Sequence, residues 1–499
     1  MAATLQKKEF GDFQTPLGLA EQVARSVFEK YSYIRSVVEP TCGKGSFIRA
    51  AIKAKKNLVS VYGWEINQEY INLSKSILPE NRSTKLHIEK KDFFSINWAS
   101  LPEDIKKFVL FIGNPPWFTN SESGKIGSTN LPKKENFQNY SGIEAITGKS
   151  NFDVSEWMLI KVAEYISGKE AAMSFIIKTS VARKVFAYIC SNKMLIKNVE
   201  ICPIDARKYF DVSVDACLFC AEGTHTASTE YFCSIYDSLS ARCPVKTMGY
   251  AAGKLIADIN TYNSLRDIDA GSEFPWRSGI KHDCAKVMEF KLKDGRLMNG
   301  FQEDVDISRD YLYPMYKSSH LAHHILKKPV TYMLVTQKKI GDETDSIKIC
   351  SPKTWAYLQK YEDKLNSRKS SIYKKSPKFS IFGVGDYSFK HWKVAVSGLY
   401  KNINFKLIGP FQGKPVVLDD TCCMMSFDCK EQADFVCRLL SSDMAANFID
   451  SISFKDSKRP ATVAMLNRIS LKNLAKYLGE EKKYDFLFKN CSPKQLSLF

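Results

Sequence analysis

The first half of the chain is predicted to be an open α/β sheet of the doubly wound kind, followed by a mixed α/β region and a helical close. Three observations predict it. Segments of strand length recur at 35–39, 58–65, 85–92 and 107–112, the first, second and fourth of them apolar, with helix-like stretches between them. The first three end in acids, Glu39, Glu65 and Asp92, and the fourth breaks at Gly113-Asn114. A turn holding Gly43 and Gly45 follows the first run and opens straight into a helical pattern.

In chain order, Phe13, Gln14, Thr15 and Pro16 precede an amphipathic helix expected from about 17 to 31, with Thr15 as its cap and Pro16 in its first turn. The turn after Glu39 lacks the third glycine of a dinucleotide fingerprint and the Gly-Lys-Ser/Thr of a phosphate loop. Two glycines after an acidic strand end suit a ligand without phosphates, whose amino-acid part approaches the backbone closely. Glu65, ending the second strand, is placed for a ribose diol. Asp92 would accept an adenine amine while Phe93 packs on the purine. Any one such acid reads as a solvated strand-end charge; three in succession at βα spacing argue for a ligand.

The fourth strand leads to Asn114-Pro115-Pro116-Trp117, where two prolines forbid both a helix and a continuing ladder. The exocyclic amine of a nucleobase is a poor nucleophile, because its lone pair is delocalised into the ring. The Asn114 carboxamide oxygen and the Pro115 carbonyl would accept its two N–H hydrogens and stabilise positive charge developing on nitrogen. Trp117 would stack on the base. An ordinary turn with a buried tryptophan is the alternative.

Taken together, Phe13, Gln14, Thr15 and Pro16, then Glu39, Pro40, Thr41, Gly43, Gly45 and Phe47, then Glu65, Asp92-Phe93 and Asn114-Pro115-Pro116-Trp117 resemble the motifs of the DNA adenine-N6 methyltransferases of the gamma arrangement, of the restriction–modification type. The resemblance covers about 1–225. It implies a class I Rossmann-like methyltransferase domain with a mixed seven-stranded sheet, S-adenosylmethionine as cofactor, and a flipped adenine in double-stranded DNA. By position, the Phe13-to-Pro16 segment with Glu39, Gly43 and Gly45 would border the methionine part, and Pro40, Thr41 and Phe47 would complete the cofactor site. Glu65 with Ile66 would border the ribose, Asp92 with Phe93 the adenine, and Asn114, Pro115, Pro116 and Trp117 the target base. Trp117 departs from the Tyr or Phe commoner in the family. The family also puts the helix after 150 beside cofactor and base, so Phe152 and Asp153 are secondary candidates; core packing and a helix cap are the alternatives.

The expected divisions are a methyltransferase domain at 1–235, a target-recognition domain at 236–429 and a helical region at 430–499. A fifth strand is expected at 171–177, antiparallel pairing over 210–221, and a loop ordering over substrate at 118–150. A net charge of +18 over 499 residues, with a pI near 9.1, points to a polyanionic partner. No apolar run reaches the ~20 residues of a membrane span, and the N-terminus lacks a secretory apolar core, so the expected location is cytoplasmic and nucleoid-associated. The 14 cysteines sit in apolar runs and read as reduced, buried thiols; Cys217 and Cys220 lack a second pair, and no metal is expected.

DNA contacts are expected from Arg277, Lys281 and His282, from Lys317, and from the acid-free run 364–378 with Arg368, Lys369, Lys374 and Lys375. The tail, Gln495, Leu496, Ser497, Leu498 and Phe499, resembles the short motif that docks on the bacterial sliding clamp. The motifs start near residue 13 and no Asp…Glu-x-Lys cluster follows them, so a restriction endonuclease partner is expected on a separate chain. Cytosine-N4 methylation, methylation of a protein glutamine, and a DNA-binding protein with a retired core stand as alternatives.

Overall fold

Short apolar runs that bury both faces become the centre of one large sheet. In the computed structural model, residues 13–76, 84–118, 153–456 and 458–489 are described. β1 (Ser36–Glu39), β2 (Ser60–Glu65), β3 (Lys85–Lys90), β4 (Val109–Gly113) and β5 (Ala171–Lys178) run parallel in the order β3-β2-β1-β4-β5. β6 (Ile196–Ile204) follows, and β7 (Ala216–Gly223) inserts antiparallel between β5 and β6. These are the seven strands expected. β8 (Phe232–Ile235), β9 (Lys246–Ala251) and β10 (Lys254–Ile256) extend the sheet past β6 to ten strands. They belong to the first of two compact units, which divide between Ile259 and Asn260; the division expected at 235 therefore lies too early.

α1 (Leu17–Lys30) buries Leu19, Val23 and Val27, one stripe at helical spacing, against α2 (Ser46–Ala54). Pro16 takes the cap position rather than the first turn, and Thr15 is buried, so the start lies one residue off the expectation. α3 (Gln68–Ser76) connects β2 to β3, α4 (Val154–Ile166) leads into β5, and α5 (Thr179–Ser191) and α6 (Ala206–Phe210) follow. β1 and β4 are neighbours although two strands separate them in sequence, so the connections diverge between their C-terminal ends, where an open α/β sheet forms its crevice. Glu39 and Asn114 sit at that divide. Cys217 and Cys220 both lie on β7, three residues apart, and so point to opposite faces of the strand, which rules out a shared metal site.

The second unit holds two smaller sheets. One runs β13-β12-β15-β14-β18, from β12 (Glu289–Lys293), β13 (Arg296–Met298), β14 (Leu312–Tyr316), β15 (Thr331–Leu334) and β18 (Val417–Leu418). The other runs β11-β19-β16-β17, from β11 (Arg277–Ser278), β16 (Trp392–Ser397), β17 (Lys406–Ile408) and β19 (Cys422–Phe427). A short helix α7 (Ser318–Ala322) follows β14. The helical close, α8 (Lys430–Leu440), α9 (Asp443–Ile452), α10 (Leu471–Tyr477) and α11 (Glu481–Phe488), packs into this unit through α8 on β16 and β19 and is no separate body. Among the described residues no helix is long and apolar enough to cross a membrane. The loop expected at 118–150, beyond Phe118, lies outside the described residues, as do Phe152 and the tail 495–499.

Candidate active site

The turn after β1 is built around backbone that only glycine adopts without strain. Gly43 has φ +49° and Gly45 φ +77°; a Cβ on Gly43 would stand 2.7 Å from Gln14 Oε1. Three partners hold the turn. Glu65 accepts from the Gly43 N–H at 2.8 Å and from Ile66 and Asn67 N–H at 2.9 Å each. Gln14 Oε1 accepts from Lys44 N–H at 3.1 Å, and Ser74 Oγ donates to the Gly43 carbonyl at 2.8 Å. Glu65 thus shapes the turn through its carboxylate.

Glu39 is 3% exposed and accepts from the Ile48 N–H at 3.2 Å. Burial pushes its carboxyl well above the usual range, and the Glu65 charge adds to the rise, so the site favours a cation arriving beside it. Thr41 Oγ1 is buried with no hydrogen-bond partner among the described residues. Ile66 is 44% exposed beside Glu65, an open apolar face. Pro40 is buried.

Two expected contacts turn out to be core. Phe47 is 1% exposed, because the amphipathic register of α2 turns it inward. Phe93 is 5% exposed and packs on Trp98 at 5.5 Å, while Asp92, exposed, caps the short turn by accepting from Phe94 N–H at 3.0 Å. That turn leaves Phe94 less buried than Phe93 and stacked on Trp157 at 4.7 Å.

At the end of β4, Asn114 Nδ2 donates to the Phe13 carbonyl at 2.8 Å. A carbonyl can only accept, so the amide group must face it, which fixes the carboxamide orientation. Asn114 Oδ1 is then left buried, without a partner among the described residues. An unsatisfied buried acceptor costs about 1–3 kcal/mol, which a donor from a ligand would recover. Trp117 is 5% exposed; its indole N–H donates to the Ile176 carbonyl at 3.3 Å, and its ring stands 5.5 Å from Phe13 and 5.2 Å from Phe210. A base between Trp117 and Phe210 would need about 7 Å, two layers of contact. The expected stacking face is closed in this arrangement.

Sequence reading missed the supports of this loop. Lys178, ending β5, donates to the Trp117 carbonyl at 3.3 Å and pairs with Asp153 at 2.7 Å. Asp153 caps α4 through the Ser155 N–H at 3.1 Å, so its cap reading holds. Phe210 follows the basic Arg207-Lys208 and Lys178 ends a strand; neither residue type signalled its place.

The expected DNA contacts of the second unit divide. His282 is 7% exposed: Nδ1 accepts from Cys284 N–H at 3.2 Å and Nε2 lies 3.2 Å from Glu289. Lys317 pairs with the same carboxylate at 2.6 Å. Burial alone would raise the Glu289 carboxyl; hydrogen bonds from His282 and Lys317 outweigh it and hold the group low. Arg368 donates to the Leu365, Ser380 and His282 carbonyls at 2.7, 2.8 and 3.2 Å. His282, Lys317 and Arg368 are therefore internal struts, a correction to their expected role. Lys281 pairs with Asp283 at 3.4 Å, while Arg277, Lys369, Lys374 and Lys375 are exposed.

The residues of the first unit fit S-adenosylmethionine: a bare glycine turn, a buried carboxyl for its ammonium, and an exposed isoleucine for its apolar part. The family model for N-6 DNA Methylase matches residues 1–180. The type II methyltransferase M.NspV of a Nostoc species is 44% identical over 473 residues, 95% of this chain and 98% of that one. The type II methyltransferase M.VspI of a Vibrio species is 32% identical over 130 residues, 26% of this chain and 28% of that one. Among solved structures, the type IIL restriction-modification enzyme MmeI in complex with DNA superposes with a TM-score of 0.53 at 14% identity, over 93% of this chain and 66% of that one, a likeness of fold. The chain belongs to the N-6 DNA methylase family, as a type II methyltransferase that modifies DNA with S-adenosylmethionine.

Proposed function

We propose that Asn114 and the Pro115 carbonyl receive the N6 amine of an adenine flipped out of duplex DNA, as the catalytic step of the modification enzyme of a restriction–modification or defence system. The carrying observation is the Asn114 carboxamide, whose Nδ2 is committed to Phe13 and whose Oδ1 has no partner among the described residues. Accepting the two amine hydrogens draws the nitrogen lone pair out of ring conjugation and stabilises the charge that grows on it. S-adenosylmethionine, when bound, supplies a methyl group on a sulfonium, a good leaving group. Gly43 and Gly45 give its methionine part close approach, Glu39 faces its ammonium, and Glu65, Ile66 and Asp92 border the nucleoside. Trp117, anchored by its indole N–H and packed against Phe13 and Phe210, holds the loop that carries Asn114 and Pro115 in place. Flipping costs a few kcal/mol of unstacking.

Single-molecule sequencing of DNA from cells expressing the chain tests this directly. N6-methyladenine in one sequence context is the expected result; N4-methylcytosine, or no modified base, would overturn it. We place the enzyme with the nucleoid in the cytoplasm, beside a nuclease on a separate chain. The tail 495–499 is proposed to dock on the sliding clamp, and equal clamp retention by a chain lacking those residues would discard that idea.

A further inference from the structure

Two long stretches of the second unit contain no acid. Residues 311–341 carry Lys317, Lys327, Lys328, Lys338 and Lys339, and residues 387–418 carry Lys390, Lys393, Lys401, Lys406 and Lys414. The fold brings parts of them together. After β14 and α7 the chain forms a loop, residues 323–330, before β15; Lys406 lies on β17 and donates through Nζ to the His324 carbonyl at 2.8 Å. The Tyr316 hydroxyl donates to the Lys327 carbonyl at 2.6 Å, and Leu326 packs on the core cluster of Tyr316, Leu321 and Ile408.

Pinned at these three points and with Pro329 buried, the loop turns most of its other side chains outward. His323, His324, Lys327 and Lys328 are exposed, and Ile325 is 74% exposed. A lone exposed isoleucine needs no explanation. Here it is displayed on an anchored loop, flanked by cations, with no acid in either stretch to neutralise them. Two carboxylates of the same unit are engaged elsewhere: Glu289 with His282 and Lys317, and Asp419 with the Thr421 N–H at 3.2 Å. Cations around an apolar tip match a partner with phosphates outside and flat apolar edges within, which is a nucleic acid duplex.

We propose that the loop 323–330 is a duplex-DNA contact element, with Lys327 and Lys328 on phosphates and Ile325 against the bases. It rests on the assignment of duplex DNA as substrate and adds a surface distinct from Arg277 and the run 364–378.

The test is equilibrium binding of the full chain, across a salt series, to a duplex carrying the methylated sequence and to a random duplex. Thermal melting first checks that the variants, all at exposed positions, remain folded. Lys327→Gln/Lys328→Gln should weaken both duplexes alike, by about 30-fold at 0.15 M salt, and lower the slope of log K against log salt by about 1.8, as expected for two lost phosphate contacts. Ile325→Ser should keep the slope and weaken the methylated-sequence duplex more than the random one. Unchanged affinity and slope in the lysine variant, or equal effects of Ile325→Ser on both duplexes, would overturn the proposal while leaving the substrate assignment standing. Failure of the parent chain to bind either duplex at low salt would instead sink that assignment, and this inference with it.

Discussion

Replacing Asn114 by alanine separates a catalytic acceptor from a structural one. The substitution removes two things. The first is the Nδ2 bond to the Phe13 carbonyl at 2.8 Å, a net loss of about 1 kcal/mol in stability. The second is Oδ1, which has no partner among the described residues; its unsatisfied burial costs about 1–3 kcal/mol, so its removal offsets the lost bond. If Oδ1 holds the amine as charge develops, its removal costs about 2.7–4 kcal/mol at the transition state, on the order of 10²–10³ in kcat. Single-turnover methyl transfer to the cognate duplex, with cofactor titration and thermal melting on the same samples, reads all three quantities. The expected pattern is a large fall in kcat, a Tm at or slightly above the parent's, and a cofactor Kd within about tenfold of the parent, since 1.4 kcal/mol is the most that a neighbouring side chain is asked to supply. Asn114→Asp should be nearly as slow, because it keeps an acceptor but sets a carboxylate against the Phe13 carbonyl. A kcat for Asn114→Ala within about threefold of the parent, under 1 kcal/mol of barrier, would refute the reasoning.

Three further outcomes follow from the geometry. Gly43→Ala should lose cofactor affinity and about 1–2 kcal/mol of stability, since φ is +49° and the new Cβ would meet Gln14 at 2.7 Å; titration and melting that match the parent would contradict the bare-turn argument. Lys393 is fully buried on β16, and burial lowers its ammonium to about 7 from 10.5. Between those values the unfolded chain binds more protons than the folded one, so stability should rise with pH from about 7 to about 10.5. Lys393→Met should remove that rise and stabilise the protein at pH 7 by up to about 4 kcal/mol; an unaltered pH profile in urea unfolding would count against it. Glu289→Ala should destabilise by on the order of 3 kcal/mol, leaving His282 and Lys317 without their carboxylate, yet leave the salt slope of DNA binding in place; a changed slope would return those two cations to the DNA surface.

The sequence carried the sheet's centre well, for a physical reason: β1, β2 and β4 are buried on both faces and punctuated by Gly, Pro and acids, so local chemistry and tertiary position agree. The family resemblance was legible at Asn114 because its neighbours, two prolines, permit few conformations. Which aromatic faces a ligand was not legible. Phe93 and Phe94 are identical in the sequence, and only the short turn capped by Asp92 decides that the first is core. The same limit explains His282 and Arg368. A basic side chain looks free until the fold supplies Glu289 from β12 to His282 or the distant His282 carbonyl to Arg368. β8 to β10 were missed as part of the first unit because short, half-exposed strands with little alternation read as loose connections.

That lengthened sheet changes how its margins meet solvent. Growth past β6 ends on β10, only three residues long and opening on an exposed lysine, while the opposite margin, β3, carries exposed Lys85, Glu89 and Lys90. The β10 border thus presents little unpaired backbone, and the six-residue β3 border is lined by charged side chains; both discourage a second chain from adding a strand. A protein carrying ten strands in one layer is in this way guarded against edge-to-edge aggregation, a hazard that its broad apolar interior would otherwise invite.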